Sequence, residues 1–424
     1  MQIKELYEIY RQHPVVETDT RKIKPGSIFF ALKGPSFNGN DFLKEAFEKG
    51  AAYCVADEQR DFDNEKIMYV DDVLTTLQEL ALYHRKTFSI PFIAITGSNG
   101  KTTTKELVHA VLSSKFKCYT TEGNLNNHIG IPLTLLRIKN DAEIAVIEMG
   151  ANHQKEIESY CTYAQPTHGL ITNVGKAHLE GFGGYDGVLK GKGELYAYLR
   201  ATNGTAFRFE DAAYLKNISE GIKNVVGYGT LEGMTTGKLA GHHEQLEVNL
   251  KTDQSFTVKT QLVGDYNLPN VLAAACVGHY FKVPNDSIKK SLEEYLPTNS
   301  RSQLITSGTN KIILDAYNAN PSSMQAAIQN LAALHDEKKI LILGSMKEMG
   351  DESEKEHENL INLIQKFQWH AVAIAGKEFT KIPEGILHFD NALELKDWFM
   401  QQNFQHATIL IKGSRSMGME KVLN

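Results

Sequence analysis

The stretch Ile93-Ala94-Ile95-Thr96-Gly97-Ser98-Asn99-Gly100-Lys101-Thr102-Thr103-Thr104 decides the reading of this chain. An apolar run reads as a buried strand, and a glycine-rich turn leads from it into a helix. Such a turn aims backbone N–H groups and a helix N-terminus at one point, which suits a phosphate. Lys101 adds a positive charge at the terminal phosphates, and the Thr102 hydroxyl is placed to ligate Mg2+. The usual phosphate-loop pattern carries a further glycine where Ile95 stands. This loop is therefore shorter, and a generic kinase or GTPase fits it poorly. ATP is the expected nucleotide, with Gly97, Ser98, Asn99, Gly100, Lys101, Thr102 and Thr103 as its loop contacts.

Outward from the loop, 424 residues are too many for one ordinary core, and about two to four domains are expected. With 42% hydrophobic and 23% charged residues, the composition is that of an ordinary soluble globular protein. A net charge of −6 without a basic block argues against nucleic acid as a partner. The opening Met1-Gln2-Ile3-Lys4-Glu5-Leu6 lacks the apolar core of a signal peptide. No apolar run approaches the roughly 20 residues that span a bilayer, so no membrane insertion is expected. Cys54, Cys118, Cys161 and Cys276 form no C-x-x-C pair and suit reduced thiols in a cytoplasm.

The chain divides into three α/β units. In residues 1–86, Ser27–Leu32 and Tyr53–Ala56 read as strands with a helix from Asp41 to Lys49 between them. In residues 87–298, strands Phe92–Thr96, Ile144–Glu148 and Gly169–Thr172 alternate with helical patterns, which argues for a parallel, doubly wound sheet. From about Gly204 to Val263 the character changes. Leu246, Val248 and Leu250 alternate with polar residues before a turn into Phe256-Thr257-Val258, an antiparallel hairpin at the sheet edge. Leu296-Pro297-Thr298-Asn299-Ser300 reads as a linker to residues 299–424. That unit's short strands, Ile312–Asp315, Ile340–Leu343, Ala371–Ala375 and Thr408–Ile411, suggest a Rossmann-like layout without the G-x-G-x-x-G of a dinucleotide site.

Taken with the loop, the downstream motifs resemble the Mur ligase family over essentially the whole chain, from Asp19-Thr20-Arg21 to Lys412-Gly413-Ser414-Arg415. The sharper marks are Glu122-Gly123-Asn124-Leu125-Asn126-Asn127, the run Ile171-Thr172-Asn173-Val174-Gly175-Lys176-Ala177-His178-Leu179-Glu180-Gly181-Phe182-Gly183, and Ala316-Tyr317-Asn318-Ala319-Asn320-Pro321. These look like the members that add D-alanyl-D-alanine, and the Asp-Asn-Pro-Arg motif of diaminopimelate-adding ligases is absent. Two departures stand out. The family's Asp-Asp-Ser-Tyr-Asn-Ala-Asn-Pro begins here with Leu314-Asp315, keeping one aspartate of the pair, and its Asp-Gly-His segment reads Asn38-Gly39-Asn40.

The resemblance implies a three-domain α/β fold: a small mixed UDP-sugar-binding domain, a central P-loop ATPase-like parallel-sheet domain, and a Rossmann-like C-terminal domain. It implies ATP-dependent amide formation through an acyl phosphate, with UDP-N-acetylmuramoyl-tripeptide and D-alanyl-D-alanine as substrates and ATP and Mg2+ as cofactors. Catalysis is then mostly positioning and stabilisation of developing charge. Glu148 ends an apolar strand where a parallel sheet opens its crevice, and joins Thr102 on Mg2+ by resemblance. A solvated strand-end acid is the plain alternative. By the same resemblance His178 ligates a second Mg2+, and a lysine near Leu189-Lys190-Gly191-Lys192-Gly193-Glu194 becomes a carbamate. Matching Lys-Gly-Glu selects Lys192 as that anionic ligand, with two surface lysines as the alternative.

Asn267 is implied to contact the adenine, although as a bare residue it also reads as a helix cap. Arg301 and Asp315 match positions that reach the nucleotide's phosphates and ribose. Tyr317, Asn318, Asn320, Lys412, Ser414 and Arg415 follow strand ends and are candidates for the dipeptide. Thr20 and Arg21, with Lys33 and Gly34, fall in the UDP-sugar segment, and Asn126 and Asn127 lie near the phosphate loop. Donors on separate domains imply closure of a cleft. A monomer is expected. Three alternatives stay open: a related ligase for another carboxylate such as a polyglutamate, a non-catalytic nucleotide-binding scaffold, and a small-molecule kinase.

Overall fold

The computed structural model describes residues 2–62, 64–241, 244–298 and 300–423. Asn299, within the expected linker, lies outside the described residues. Strands β1 (Val16–Glu17), β2 (Ile28–Phe30), β3 (Tyr53–Ala56) and β4 (Ile67–Tyr69) pair in that order, all parallel. Strand side chains alternate between faces. Phe29 and Cys54 therefore pack on Leu43 and Ala46. Ile28, Phe30 and Val55 turn the other way, toward helices α1 (Ile3–Gln12) and α2 (Val73–Arg85). The expected helix from Asp41 begins as a 3-10 turn and becomes α-helical only over Leu43–Glu48. Asn40, where the family carries histidine, is buried. Its amide donates to Asp57 Oδ1 at 2.8 Å and accepts from the backbone N–H of Asp57 at 3.2 Å.

The central sheet holds nine strands: β5 (Phe92–Thr96), β6 (Cys118–Thr120), β7 (Ile144–Glu148), β8 (His168–Ile171), β9 (Thr205–Phe209), β10 (Asn224–Gly229), β11 (Thr235–Leu239), β12 (Gln245–Lys251) and β13 (Ser255–Val263). Their order is β13-β12-β11-β10-β9-β8-β5-β7-β6. The expected change of character near Gly204 comes later, because β9, β10 and β11 still pair in parallel. The antiparallel pairings are β11 with β12 and β12 with β13, the expected turn lying between the last two. The apolar signal fades early because β10 starts exposed and is buried only at its end, as a thinly covered sheet margin permits. Three helices cover this sheet around the cleft: α3 (Lys101–Ser113), α4 (Tyr185–Thr202) and α5 (Leu268–Tyr280). Leu107, Val108 and Val111 of α3 share one core with Val271, Leu272 and Ala275 of α5.

The third sheet contains β14 (Gln303–Ser307), β15 (Asn310–Asp315), β16 (Lys339–Gly344), β17 (Ala371–Ala375), β18 (Leu387–Phe389) and β19 (Thr408–Lys412). Its order is β14-β15-β19-β16-β17-β18, parallel except for β14. Both edge strands go unseen in the sequence, since β14 ends exposed and β18 has only three residues with little apolar burial. Leu314, in place of the family's first aspartate, is buried among Ile312, Ile340 and Ile409. Helix α6 (Pro321–Ala333) follows β15 and is capped by Asn320, whose Oδ1 accepts from Ser323 N at 2.9 Å.

Topology fixes where a ligand can sit. From β5 the chain runs to the far edge at β6, returns to β7, then crosses to β8 on the other side of β5. That reversal opens a crevice at the carboxyl ends of β5 and β8.

The first unit is fastened to the second through His84 at the end of α2. Its Nε2 donates to Ile138 O at 2.8 Å, and its Nδ1 accepts from the Tyr7 hydroxyl at 3.1 Å. Burial holds this imidazole below its ordinary pKa, so the neutral ring is the form the fold accepts. An unfolded histidine takes up its proton below about pH 6.5. The folded one does so only at a lower pH, so His84 contributes stability that is complete above that pH and lost as pH falls beneath it. Urea unfolding compared at about pH 7.5 and about pH 5.5 is expected to show a larger acid loss for this chain than for His84→Gln. Equal losses would contradict the assignment.

Candidate active site

The phosphate loop is held by the segment that follows β8. Gly97 leaves β5 with φ 142°, and a Cβ there would stand 2.0 Å from Thr172 Oγ1. Thr172 Oγ1 donates to Asn99 O at 2.6 Å, and Ser98 N donates to Asn173 O at 2.9 Å. Asn173 Oδ1 accepts from Asn99 N at 2.9 Å, and Ser98 Oγ accepts from Gly175 N at 2.9 Å. Gly100, with φ 77°, opens α3, and a Cβ on it would meet Asn270 Oδ1 at 2.7 Å. Close approach from two sides thus requires glycine at both positions. Lys101 bends over the loop and donates to Gly97 O at 2.7 Å and Ser98 O at 3.2 Å. Burial lowers its pKa to about 8, with Glu148 opposing. Thr103 is buried in the first turn of α3. Asn267 stands at the start of α5 without a capping bond. Its amide donates to Val263 O at 2.9 Å and its Oδ1 accepts from Asn270 Nδ2 at 2.9 Å.

Glu148 is 1% exposed, which excludes the solvated strand-end acid. Its Oε1 accepts from Thr102 Oγ1 at 3.1 Å and from Asn126 Nδ2 at 2.7 Å. Its Oε2 is buried with no hydrogen-bond partner. A buried, unpaired carboxylate oxygen is costly unless a cation meets it. Oxygen donors are what Mg2+ prefers, so Glu148 with the Thr102 hydroxyl fits that ion. Among the described residues no cluster of three His, Cys, Asp or Glu could hold a metal. A cation at Glu148 therefore depends on hydroxyl, water and phosphate oxygens for its other ligands. Neighbouring Asn127 caps the helix Gly130–Leu136, its Oδ1 accepting from Gly130 N at 2.8 Å.

His178 has a left-handed backbone, φ 52°, and its Nδ1 lies 2.5 Å from Glu348 Oε2 beyond β16. Glu348 is itself left-handed, φ 62°, and the hydrogen bond to His178 holds its carboxyl below the usual range. Two strained backbones meeting across the cleft mark a site whose geometry is over-determined. Lys192 on α4 is 1% exposed, whereas Lys190 faces solvent. Lys192 Nζ donates to Ala151 O at 3.0 Å and lies 4.8 Å from the Phe182 ring centroid. Burial, and then the charge of Lys101, hold its pKa well below that of an ordinary lysine.

The opposite wall comes from the third unit. Lys412, at the end of β19, donates to Asp315 Oδ2 at 2.5 Å and to Asn318 O at 3.2 Å. Asp315 Oδ1 also accepts from Ser302 N at 3.2 Å. The Arg301 guanidinium stacks 3.5 Å from the Tyr317 ring centroid. Arg415 Nη1 donates to the Tyr317 hydroxyl at 3.0 Å. Ser414 Oγ accepts from Lys347 N at 2.8 Å. Asn320 Nδ2 crosses the cleft to Asn99 Oδ1 at 2.7 Å.

A cleft of about 960 Å³ between these walls brings together the loop, Asn126, Asn127, Glu148, His178, Asn267 and the named groups of the third unit. Ala151, which holds Lys192, also lines it. Thr20 and Arg21 are not among its lining residues. Thr20 donates to Glu45 Oε1 at 3.0 Å, and exposed Arg21 folds onto Asp19, whose carboxyl it lowers to about 2. Lys33 pairs with Asp57 at 3.0 Å, and Gly34 meets the Phe37 ring in a short two-stranded ribbon. Thr172, Asn173, Asn270, Lys347 and Glu348 reach the site without being singled out in the sequence. Their signal is position: all but Asn270 follow the carboxyl end of a parallel strand.

Three family domain descriptions match the chain: "Mur ligase family, catalytic domain" over residues 14–85, "Mur ligase middle domain" over 95–278, and "Mur ligase, glutamate ligase domain" over 300–415. A UDP-N-acetylmuramoyl-tripeptide–D-alanyl-D-alanine ligase of Bacillus subtilis is 35% identical over 422 residues, covering 96% of this chain and 92% of its own length. The crystal structure of MurF from Acinetobacter baumannii superposes with a TM-score of 0.90 at 28% identity, covering 100% of this chain and 97% of that one. MurF ligase from Thermotoga maritima in complex with ADP gives a TM-score of 0.88 at 28% identity, over 97% and 96% of the two chains. Sequence, domain order and fold agree along the whole length, and the chain belongs to the Mur ligase family.

Proposed function

We propose that this chain is an ATP-dependent ligase that joins D-alanyl-D-alanine to the peptide carboxylate of UDP-N-acetylmuramoyl-tripeptide. The products are the UDP-pentapeptide precursor of peptidoglycan, ADP and phosphate. The observation that carries the reading is the buried Glu148 with one oxygen unpaired, set beside Thr102 at the mouth of the phosphate loop. The names of the Bacillus subtilis relative and of the ADP-bound Thermotoga maritima structure support it. In this reading residues 1–86 hold the UDP-sugar, 87–298 the ATP, and 299–424 the dipeptide. The enzyme works as a monomer in the cytoplasm. No helix among the described residues is long and apolar enough to cross a membrane.

The backbone N–H groups of Gly100 to Thr103, at the head of α3, take the phosphates. Lys101 gives up the carbonyls of Gly97 and Ser98 for the terminal phosphate oxygens. Mg2+ on Thr102 and Glu148, and a second on His178 and Lys192 as its carbamate, would supply charge neutralisation and alignment of the phosphoryl group. Asn267 meets the adenine, and Arg301 and Asp315 meet the phosphate and ribose sides of the nucleotide. The tripeptide carboxylate, near Asn126 and Asn127, attacks the terminal phosphorus, the bond from that phosphorus to the bridging oxygen breaks, ADP leaves, and the carboxylate becomes an acyl phosphate. The dipeptide amine then attacks that carbonyl, and phosphate leaves. Arg415, Ser414 and Lys412, with Asn318 and Asn320, orient the dipeptide, and the guanidinium matches a carboxylate's two oxygens. Burial lowers the pKa of Lys192, which favours the neutral amine that carbamate formation needs.

Purified protein with ATP, Mg2+, UDP-N-acetylmuramoyl-tripeptide and D-alanyl-D-alanine is expected to form the joined product with one phosphate per joining event. Phosphate release without a joined product would refute the substrate assignment, and no turnover with intact nucleotide binding would refute the enzyme. Lys192→Ala is expected to lose most activity and regain part of it with short carboxylic acids, while Lys190→Ala stays active. Rescue confined to Lys190→Ala would reverse the choice of lysine. Gly97→Ala, whose Cβ has no room against Thr172, is expected to weaken ADP binding at least about tenfold in equilibrium titration. Unchanged affinity would contradict the loop's role.

A further inference from the structure

One aromatic ring holds two arginines that the reaction assigns to different substrates. The Arg301 guanidinium lies over the Tyr317 ring, 3.5 Å from its centroid, with Nε buried and without a hydrogen-bond partner. Arg415 lies 5.1 Å from the same centroid, and its Nη1 donates to the Tyr317 hydroxyl at 3.0 Å. Both distances are within reach of cation–π attraction, which is stronger where water is excluded. Arg301 lines the same cleft as Ser98 to Thr103 of the phosphate loop, so this arginine stands on the nucleotide side. Arg415 is held from its backbone by Asn318 Oδ1 at 3.4 Å, on the β19 side of the cleft.

The backbone joins the arrangement. Tyr317 N donates to Ser300 O at 3.2 Å, and Ser300 and Ser302 on either side of Arg301 are both left-handed, with φ 55° and 47°. Non-glycine residues hold such conformations only where their surroundings enforce them. The Tyr317 N–H thus fixes the segment from which Arg301 projects, while the ring fixes the guanidinium itself.

We infer that Tyr317 is a positioning residue that orients Arg301 toward the nucleotide and Arg415 toward the dipeptide, acting through both arginines and not by touching either substrate. The inference rests on the proposed ligase reading and refines the role of one residue within it. The two functions of the side chain separate chemically. Tyr317→Phe keeps the ring beneath Arg301 and removes the acceptor for Arg415. Tyr317→Leu removes both.

Steady-state kinetics of the two variants, with ATP and D-alanyl-D-alanine varied in turn, tests this directly. A hydrogen bond to a charged group sets the expected size, so Tyr317→Phe should raise KM for the dipeptide about tenfold. Its KM for ATP should stay unchanged, and Tyr317→Leu should raise both. A dipeptide KM unchanged in Tyr317→Phe, or both KM values raised equally in it, would overturn the inference. A ring that serves only packing would lower the thermal midpoint without this split. If Tyr317→Leu fails to fold, the Phe variant decides alone. Absence of joined product in the unmutated enzyme would sink the ligase reading itself, and is told apart because it appears before any variant is made.

Discussion

A carboxylate sealed at the end of β7 with one oxygen unpaired is a cost that the proposed cation would offset. Hydrophobic burial alone would have removed such a group, since an unpaired buried carboxylate oxygen costs far more than any contact Glu148 makes in return. Its other oxygen binds Thr102 and Asn126, which ties the first turn of α3 to the segment after β6. The same node therefore fixes the helix end proposed to receive phosphate and the loop proposed to face the tripeptide. Thr121 adds to it by accepting Glu148 into place, its Oγ1 taking the Glu148 N–H at 3.0 Å.

From this node the cleft is built by contacts that cross between units. Asn99 meets Asn320 at 2.7 Å, Lys176 Nζ meets Glu356 at 2.6 Å, and His178 meets Glu348 at 2.5 Å. The Tyr266 hydroxyl and Ser302 Oγ lie 3.0 Å apart near the join between the second and third units. In each ion pair one partner is shielded and the other, Lys176 or Glu348, stays about half in water, which limits what the pair adds to stability. The proposed chemistry draws donors from both walls, and residues of both walls line the one cleft.

The sequence made the phosphate loop, the strand ends and most of the cleft legible, because each is a local pattern. An apolar run, a glycine turn and a carboxylate at a strand end are read within a dozen residues. What stayed hidden depends on distant chain segments. Nothing near Gly97 announces that Thr172 presses on it, and nothing near Gly100 announces Asn270. Resemblance to Lys-Gly-Glu separates Lys192 from Lys190, but that the helix buries the one and exposes the other depends on distant packing. Edge strands β14 and β18 carry too few buried apolar residues to stand out. The contacts of Tyr317 with Arg301 and Arg415 join the start and the end of the third unit, which no window of sequence contains. Asn40 shows the opposite case, where the departure was visible but its compensation, the bonds to Asp57, was not.

The central claim is that Glu148 is kept buried for a metal that accompanies the nucleotide. Titration of ADP with and without Mg2+, on the unmutated chain and on Glu148→Gln, tests it most directly. The substitution keeps the shape and the contacts of Oε1 and removes the charge. Metal-free ADP affinity is expected to be equal in the two proteins, with the gain on adding Mg2+ present only in the unmutated one. An equal Mg2+ gain in both would contradict the account.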